Sequence, residues 1–445
     1  MTAVKKLFLF LFLAVHPAII VFMWYQGNNE LLSEGGYFSL YAFGRLGGLF
    51  LVYVVLLQMF FIGRVGWAER LFGLDRLVYA HKWNGFLALL FLFVHPLFLV
   101  IGAAHFRGSS LWAQFLAFAG EDDILQAVAG HLVFLAVIGF TIYAILKKAK
   151  YETWYFVHVF LYGAILLAFG HQLEIGEDFA GNLFFRAYWI GLYAFFVGAF
   201  LVSRFGKPLI RFFRHRFFLQ RIVPECDNVF SFYIGGSNME RLKVSGGQFL
   251  MLRFLSPGYV SQSHPFSVSM PPASGELRVT VKALGDFTAK MKDIPANTKV
   301  LIDGPHGIFT ASSARKKKLL LVAGGIGITP LRSIAEDALR AGKEVALVFS
   351  AKTKNDFAFM AEFSELKHEF NGKFSVFYIA KGELEGWGGE IGELDEEKLY
   401  HLIPDFAERE IYVCGPVPMI KSVRHILHKA GVKRRYVHFE RFKLL

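Results

Sequence analysis

Apolar residues are spread unevenly along this chain. They gather in six runs of about 20 residues, near positions 6–25, 38–62, 78–101, 124–146, 153–172 and 184–203, each long enough for a helix to cross a hydrocarbon core. Past Arg216 the pattern changes twice. Between positions 217 and 308, short β-rich runs such as VFSFYIGG, GQFLMLRFL, GELRVTVKAL and TKVLIDGP are separated by Gly, Pro and Asn turns, the spacing of a small antiparallel barrel. From about position 315, strand and helix alternate in KKLLLVAGG, ITPLRSIAEDALRAG, EVALVFSA, EIYVCGP and VPMIKSVRHILHKAG, which predicts a parallel sheet with crossover helices. The expected fold is an α-helical membrane bundle of six transmembrane helices over 1–206, an antiparallel β-barrel domain over 214–310 and an α/β parallel-sheet domain over 315–445.

Charge adds an orientation. Lys5, Lys6, Arg64, Arg70, Arg76, Lys147, Lys148, Lys150, Arg204, Lys207, Arg211, Arg214 and Arg216 stand at one set of run ends, and Glu30, Glu34, Glu121, Asp122, Asp123, Glu174, Glu177 and Asp178 at the other. The positive-inside rule then predicts a multi-pass protein of the cell (plasma) membrane with both termini and the soluble half in the cytoplasm. This basic collar accounts for part of the net charge of +12, so a nucleic-acid partner is not expected. The first run opens like a signal peptide, but it ends at Trp24 and Tyr25 rather than at a small-residue cleavage site, and is read as a retained helix. With Cys226 and Cys414 as the two cysteines, a disulfide framework, a CxxC metal knuckle and a CxxCH haem attachment are excluded.

Two of the apolar runs carry two histidines each. His81 and His95 are 95 − 81 = 14 residues apart, and His158 and His171 are 171 − 158 = 13 apart. Both runs point outward, so His81 and His158 share one depth and His95 and His171 another, roughly 20 Å away at about 1.5 Å rise per residue. Imidazoles at such depth are costly and read as functional, and a facing pair closes both axial positions of a haem iron. At about 100° per residue, 14 residues return to within roughly 40° of one face whereas 13 miss it by roughly 140°. A distortion of the fifth helix near Gly163 or Gly170 is therefore expected. His16 and His131, without a partner at matching depth, are read as bundle-interior residues. Arg45 needs an anion, which a haem propionate or a reduced product such as superoxide would provide.

LLLVAGGIGITPL places Gly324, Gly325 and Gly327 in a turn between a buried strand and a helix, where backbone can approach a pyrophosphate. Such a turn is as often a packing device. Its company is HPFSVS (264–269), VKALGDFTAKM (281–291), DGPHGIF (303–309), YVCGP and the terminal FERF (439–442). With the histidine pairs, this set resembles the NADPH oxidase and ferric reductase family, a ferric reductase-like transmembrane domain fused to a ferredoxin-NADP reductase-type dehydrogenase. The resemblance covers nearly the whole chain, in the family's motif order.

It implies FAD, two b haems (heme b) and NADPH as cofactors. His81 with His158 would hold the inner haem and His95 with His171 the outer one. His264, Pro265 and Phe266 would shape the flavin site, with Ser267 beside flavin N5. The loop from Val281 and Lys282 to Asp286, Phe287 and Thr288 would hold the flavin pyrophosphate, with Gly304 and Pro305 in the neighbouring turn. Gly324, Gly325, Ile326, Gly327, Thr329 and Pro330 would line the dinucleotide phosphates. Cys414, leading into Gly415, Pro416 and Met419, would approach the nicotinamide, with Glu440 nearby and Phe442 over the flavin. The chain continues through Lys443, Leu444 and Leu445, where family members usually end at that aromatic.

Ser350, Lys352 and Lys354 stand where the family reads the adenosine 2′ position, and cations there favour NADPH, with NADH as the alternative. The implied activity is electron transfer from cytosolic NADPH through FAD and two stacked haems to an external one-electron acceptor, O2 giving superoxide. Reduction of a ferric or other metal chelate is the alternative, and supply of electrons to a periplasmic partner or quinone a third reading. Arg45 resembles the arginine that family members hold at the proposed oxygen site, whereas Leu99 stands where the oxidases tend to have a histidine, a place for His105 or His131 to fill. Without an EF-hand loop or a proline-rich docking segment in the sequence, activity is expected from the single chain, with no obligatory protein partner.

Overall fold

A computed structural model describes residues 3–120, 122–147, 151–163, 165, 169, 177–272, 275–382 and 387–440. The chain forms two compact units, Met1–Arg204 and Phe205–Leu445, so both expected soluble domains fall within the second.

The first unit contains α1 (Ala3–Glu34), α2 (Gly36–Ile62), α3 (Leu74–Arg107), α4 (Leu111–Gly120), α5 (Asp122–Leu146), α6 (Tyr151–Val159) and α7 (Leu183–Leu201). Among the described residues, four helices are long and apolar enough to cross a membrane: Phe10–Glu34, Gly36–Ile62, Leu74–Arg107 and Leu183–His215. Six were expected. The fourth run is helical in α5, but its described apolar stretch is the shorter Val128–Ala144. The fifth forms α6 and breaks at Phe160, where Phe160 N–H donates to Val157 O (3.1 Å) and Gly163 N–H to Phe160 O (3.0 Å). Those i→i−3 bonds tighten the helix at Phe160, while Gly170 lies outside the described residues.

Glycines on α2 bring α3 close. A Cβ on Gly44 would lie 2.9 Å from Leu99 N and one on Gly48 2.7 Å from the His95 ring, the small-residue logic of helix packing in lipid. Trp24, Tyr53, Phe60, Phe185, Trp189 and Phe196 fill the core among α1, α2 and α7.

The second unit opens with α8 (Lys207–His215) and a six-stranded antiparallel sheet of β1 (Phe218–Cys226), β2 (Val229–Gly235), β3 (Phe249–Phe254), β4 (His264–Met270), β5 (Leu277–Lys282) and β6 (Val300–His306) in the order β1-β2-β5-β4-β3-β6. The end strands meet through a Phe218–Lys299 bridge, with Val300 N–H donating to Phe217 O at 3.0 Å. The short helix α9 (Asp286–Lys290) follows β5.

Next comes a parallel sheet in the order β10-β9-β8-β7-β11-β12, made of β7 (Lys318–Gly324), β8 (Glu344–Ala351), β9 (Phe374–Ala380), β10 (Glu390–Ile391), β11 (Glu410–Cys414) and β12 (Val437–Glu440). Helices α10 (Ile328–Arg340), α11 (Met360–Glu369) and α12 (Val417–Lys429) pack around it. After Lys318, β7 is buried at every position, as a central strand covered on both faces must be.

Candidate cofactor sites

Carbonyls of α2 meet both histidines of α3. His81 Nδ1 lies 3.3 Å from Gln58 O and His95 Nδ1 lies 2.9 Å from Gly44 O. A proton on Nδ1 donated to the carbonyl leaves Nε2 as the lone-pair atom, the usual arrangement behind a metal-bound imidazole. His158 on α6 has its ring centre 6.2 Å from that of His81, with planes 71° apart, and Trp154 stacks on it at 5.0 Å. Two imidazoles whose nitrogens each sit about 2 Å from a shared metal have ring centres about 6 Å apart. His81 and His158 fit that spacing, and His158 Nδ1 is buried without a hydrogen-bond partner.

At the outer level, His171 lies outside the described residues. Among the described residues, His95 neighbours His131 of α5, with ring centres 6.0 Å apart and planes 23° apart. This corrects the expectation that His131 lacks a partner at its depth. The signal was legible: His131 stands 131 − 124 = 7 residues into the fourth run and His95 stands 101 − 95 = 6 from the end of the third, and the two runs are antiparallel. Arg45 has an anion within the chain. Arg45 Nη2 donates to Asp178 Oδ1 at 2.7 Å and Nε to Oδ2 at 3.2 Å, and Asn28 Nδ2 donates to the same carboxylate at 2.8 Å. His16, read as interior, has Nδ1 2.8 Å from Tyr188 Oη.

On β4, Ser267 is buried opposite Phe249 of β3. The His264 ring packs on Phe287 with centres 4.0 Å apart, and its Nε2 lies 3.0 Å from Gln262 Oε1. Phe266 and Val281 belong to the core of the antiparallel sheet, which leaves their backbone rather than their side chains for a ligand. Thr288 Oγ1 accepts from Leu284 N–H (3.0 Å) and Gly285 N–H (3.1 Å). That hydroxyl preforms the loop by engaging two of its amides. Lys282 is held by Asp356, with Nζ to Oδ1 at 3.2 Å. Gly304 and Pro305 lie in β6.

The nicotinamide motifs converge at the ends of β7 and β11. Gly324 is in register with Ser350 on one side, and Cys414 with Glu440 on the other. A Cβ on Gly324 would meet Met419 Sδ at 2.6 Å and Pro416 Cδ at 2.8 Å, and one on Gly415 would lie 3.0 Å from Gly324 Cα. Gly327 is packed against the Cys414 carbonyl and Gly415. These glycines are small because two turns of the protein cross there, whereas Gly325, at φ 53°, faces open space. In the first turn of α10, Thr329 Oγ1 is buried with no hydrogen-bond partner, which is uncommon for a buried hydroxyl. Ile326 is half-buried against the sheet core, Pro330 is buried in the first turn of α10, and Lys352 is exposed. Burial pushes the Cys414 thiol well above its usual range, and the Glu440 carboxylate adds to the rise. Cys414 is a neutral thiol at pH 7. Phe442 lies outside the described residues.

One cluster has no sequence motif. Arg278 on β5 pairs with Glu362 on α11 (Nη1–Oε1 2.5 Å, Nη2–Oε2 2.9 Å), and Arg332 on α10 donates to Glu362 Oε2 at 2.7 Å and to Ser269 O at 3.2 Å. It ties the antiparallel sheet to the helices of the parallel one.

Three sequence families match the chain: a ferric reductase like transmembrane component over residues 44–169, an FAD-binding domain over 219–310 and an oxidoreductase NAD-binding domain over 321–425. The chain has the architecture of the ferric reductase/NADPH oxidase family. The first match contains His81, His95, His131 and His158, the second the antiparallel sheet, and the third β7 through most of α12. The second unit is an FAD- and NAD(P)H-dependent oxidoreductase module on the same chain as a membrane-spanning, ferric-reductase-like unit. Among curated proteins, the flavohemoprotein of Candida albicans is 31% identical over 247 residues, covering 53% of this chain and 62% of that protein. The glycine betaine monooxygenase reductase subunit of Chromohalobacter salexigens is 29% identical over 240 residues, covering 52% and 64%. The chain thus spans a little under two thirds of these relatives' length. A solved cytochrome P450 reductase from Amycolatopsis is 20% identical, covering 51% of this chain and 70% of that one, with a TM-score of 0.45.

Proposed function

We propose that this protein carries electrons from cytosolic NADPH, through FAD and two b haems, across the plasma membrane to an external one-electron acceptor, with O2 reduced to superoxide. The observation that carries the reading is the His81–His158 pair, set 6.2 Å apart inside a ferric-reductase-like unit of a chain that also has flavin and nicotinamide domains. When bound, FAD exchanges electrons in pairs with nicotinamide and singly with haem, which is why it stands between them.

This chain's residues bind and orient. Gln58 O and Gly44 O would hold His81 and His95 in the tautomer that turns Nε2 to iron. His158 would complete the inner site, and His171, the family-implied ligand, the outer. Ser267 and His264 would face the flavin, and Gly325 and Thr329 the dinucleotide phosphates. Ser350 and Lys352, with a cation where the family reads the adenosine 2′ position, favour NADPH over NADH. Cys414, neutral and buried, serves as a small apolar wall beside the nicotinamide. The basic residues at alternate run ends support a cytoplasmic dehydrogenase module.

A second reading, reduction of an external ferric chelate, is favoured by the Arg45–Asp178 pair. A neutralised arginine offers less to superoxide than a bare one.

The test is a reduced-minus-oxidised visible spectrum of detergent-purified protein with NADPH and FAD, first without air. Two b haems per chain reducing through NADPH support the proposal. Rapid reoxidation in air with dye reduction sensitive to superoxide dismutase selects O2, and haems that stay reduced until ferric chelate is added select the metal. Folded protein without haem overturns both.

A further inference from the structure

Helix α8, KPLIRFFRH, forms the last turns of the helical stretch Leu183–His215 and leads into the first strand. Its two sides differ. Pro208 and His215 are buried, His215 Nδ1 lies 3.0 Å from Ser237 O, and the His215 ring stacks on Phe217 at 5.1 Å. The His215 carbonyl also accepts from Ser237 N–H at 2.6 Å. That side is clamped to the antiparallel sheet. On the other, Leu209, Ile210 and Phe213 are 49%, 65% and 66% exposed, beside exposed Lys207, Arg214 and Arg216.

Water does not favour three large apolar side chains gathered on nine residues. The composition is that of a helix lying in the interface plane, with its apolar face below the headgroups and its cations among anionic lipids. Chain continuity identifies the occupant. The helix starts 207 − 201 = 6 residues after α7 ends, and the link Val202–Gly206 is π-helical, an irregularity at which helices bend.

We propose that α8 is seated in the cytoplasmic surface of the bilayer, with Leu209, Ile210 and Phe213 below the headgroups and Lys207, Arg214 and Arg216 on anionic lipid phosphates. The proposal rests on α7 spanning the bilayer.

The experiment uses the full chain in lipid nanodiscs, without NADPH, on a Cys226→Ser background in which Cys414 is buried. Spin labels are attached at Ile210→Cys and Phe213→Cys, at Ile190→Cys within α7, and at Tyr400→Cys as an aqueous reference. Saturation is measured with O2, which partitions into lipid, and with a nickel chelate, which does not. Labels at 210 and 213 are expected to prefer O2, as at 190 and opposite to 400. Replacing anionic by zwitterionic lipid, or Arg214→Glu, should reduce the ratio of seated to unseated helix about fivefold per charge lost. Nickel access at 210 and 213 with O2 preference at 190 overturns the proposal alone. Nickel access at 190 as well overturns the spanning reading of α7 and the proposal with it. Lipid protection indifferent to headgroup charge overturns the assignment of the basic residues.

Discussion

Gly327 and Cys414 cross so closely that a Cβ on the glycine would overlap the cysteine's carbonyl and come within 2.9 Å of Gly415 Cα. The two turns that meet there follow β7 and β11, which pair in register from Glu410–Leu319 to Cys414–Ala323. Any side chain at 327 must push them apart. Gly327→Ala is expected to abolish NADPH-driven flavin reduction and lower the melting temperature, whereas Gly325→Ala, facing open space at φ 53°, should cost only about 1–2 kcal/mol of left-handed strain. Thermal melts and NADPH titrations of the two variants make the comparison. Equal effects would mean that the turn's role is not packing.

The Cys414 thiol, buried and raised in pKa, should resist alkylation by N-ethylmaleimide between pH 6 and 9 in folded protein, although it lies in the nicotinamide motif. The thiolate is the reactive form. Burial, the first cause of the shift, persists in Glu440→Gln, so that variant should resist as well. Labelling followed by peptide mass spectrometry reads this directly. Rapid native labelling of Cys414 would contradict the burial.

Glu362 stands between Arg278 and Arg332, whose side chains are 3% and 8% exposed. Removing the carboxylate takes away the closest partner of Arg278, while Arg332 keeps Glu336 at 2.5 Å, and Glu362→Ala is expected to destabilise the second unit by about 3 kcal/mol, measurable by urea unfolding. Burial raises the Glu362 pKa, but Arg278 and Arg332 outweigh it and hold the carboxyl below its ordinary value of 4.5. A carboxylate lowered in the folded state stabilises above that ordinary value, and the contribution is lost as pH falls through the lowered one. Wild-type stability should therefore drop below about pH 4.5, and the Glu362→Gln variant should show a weaker drop there.

His131 beside His95 sets a choice at the outer level. His81→Ala or His158→Ala is expected to remove one haem per chain, counted as the pyridine haemochrome. If His171 is the outer ligand, His171→Ala removes the other haem and His131→Ala keeps both. The reverse pattern would make His131 the ligand.

Local information determined the architecture. Twenty-residue apolar runs, alternating β-rich runs and the strand–glycine–helix transition each state their element within a few turns of chain, because periodicity and turn chemistry act over short separations. The nicotinamide and flavin motifs were legible for the same reason. The tertiary structure decided what depends on residues far apart in sequence: the Arg45–Asp178 pair across 133 positions and the Arg278–Glu362 bond across 84. It also assigned Gly324 and Gly327 to packing, since whether a glycine admits a ligand or a neighbouring turn depends on what the fold brings against it. Charge partners and close approaches are properties of surfaces that meet only after folding, and a one-dimensional pattern carries no distance between them.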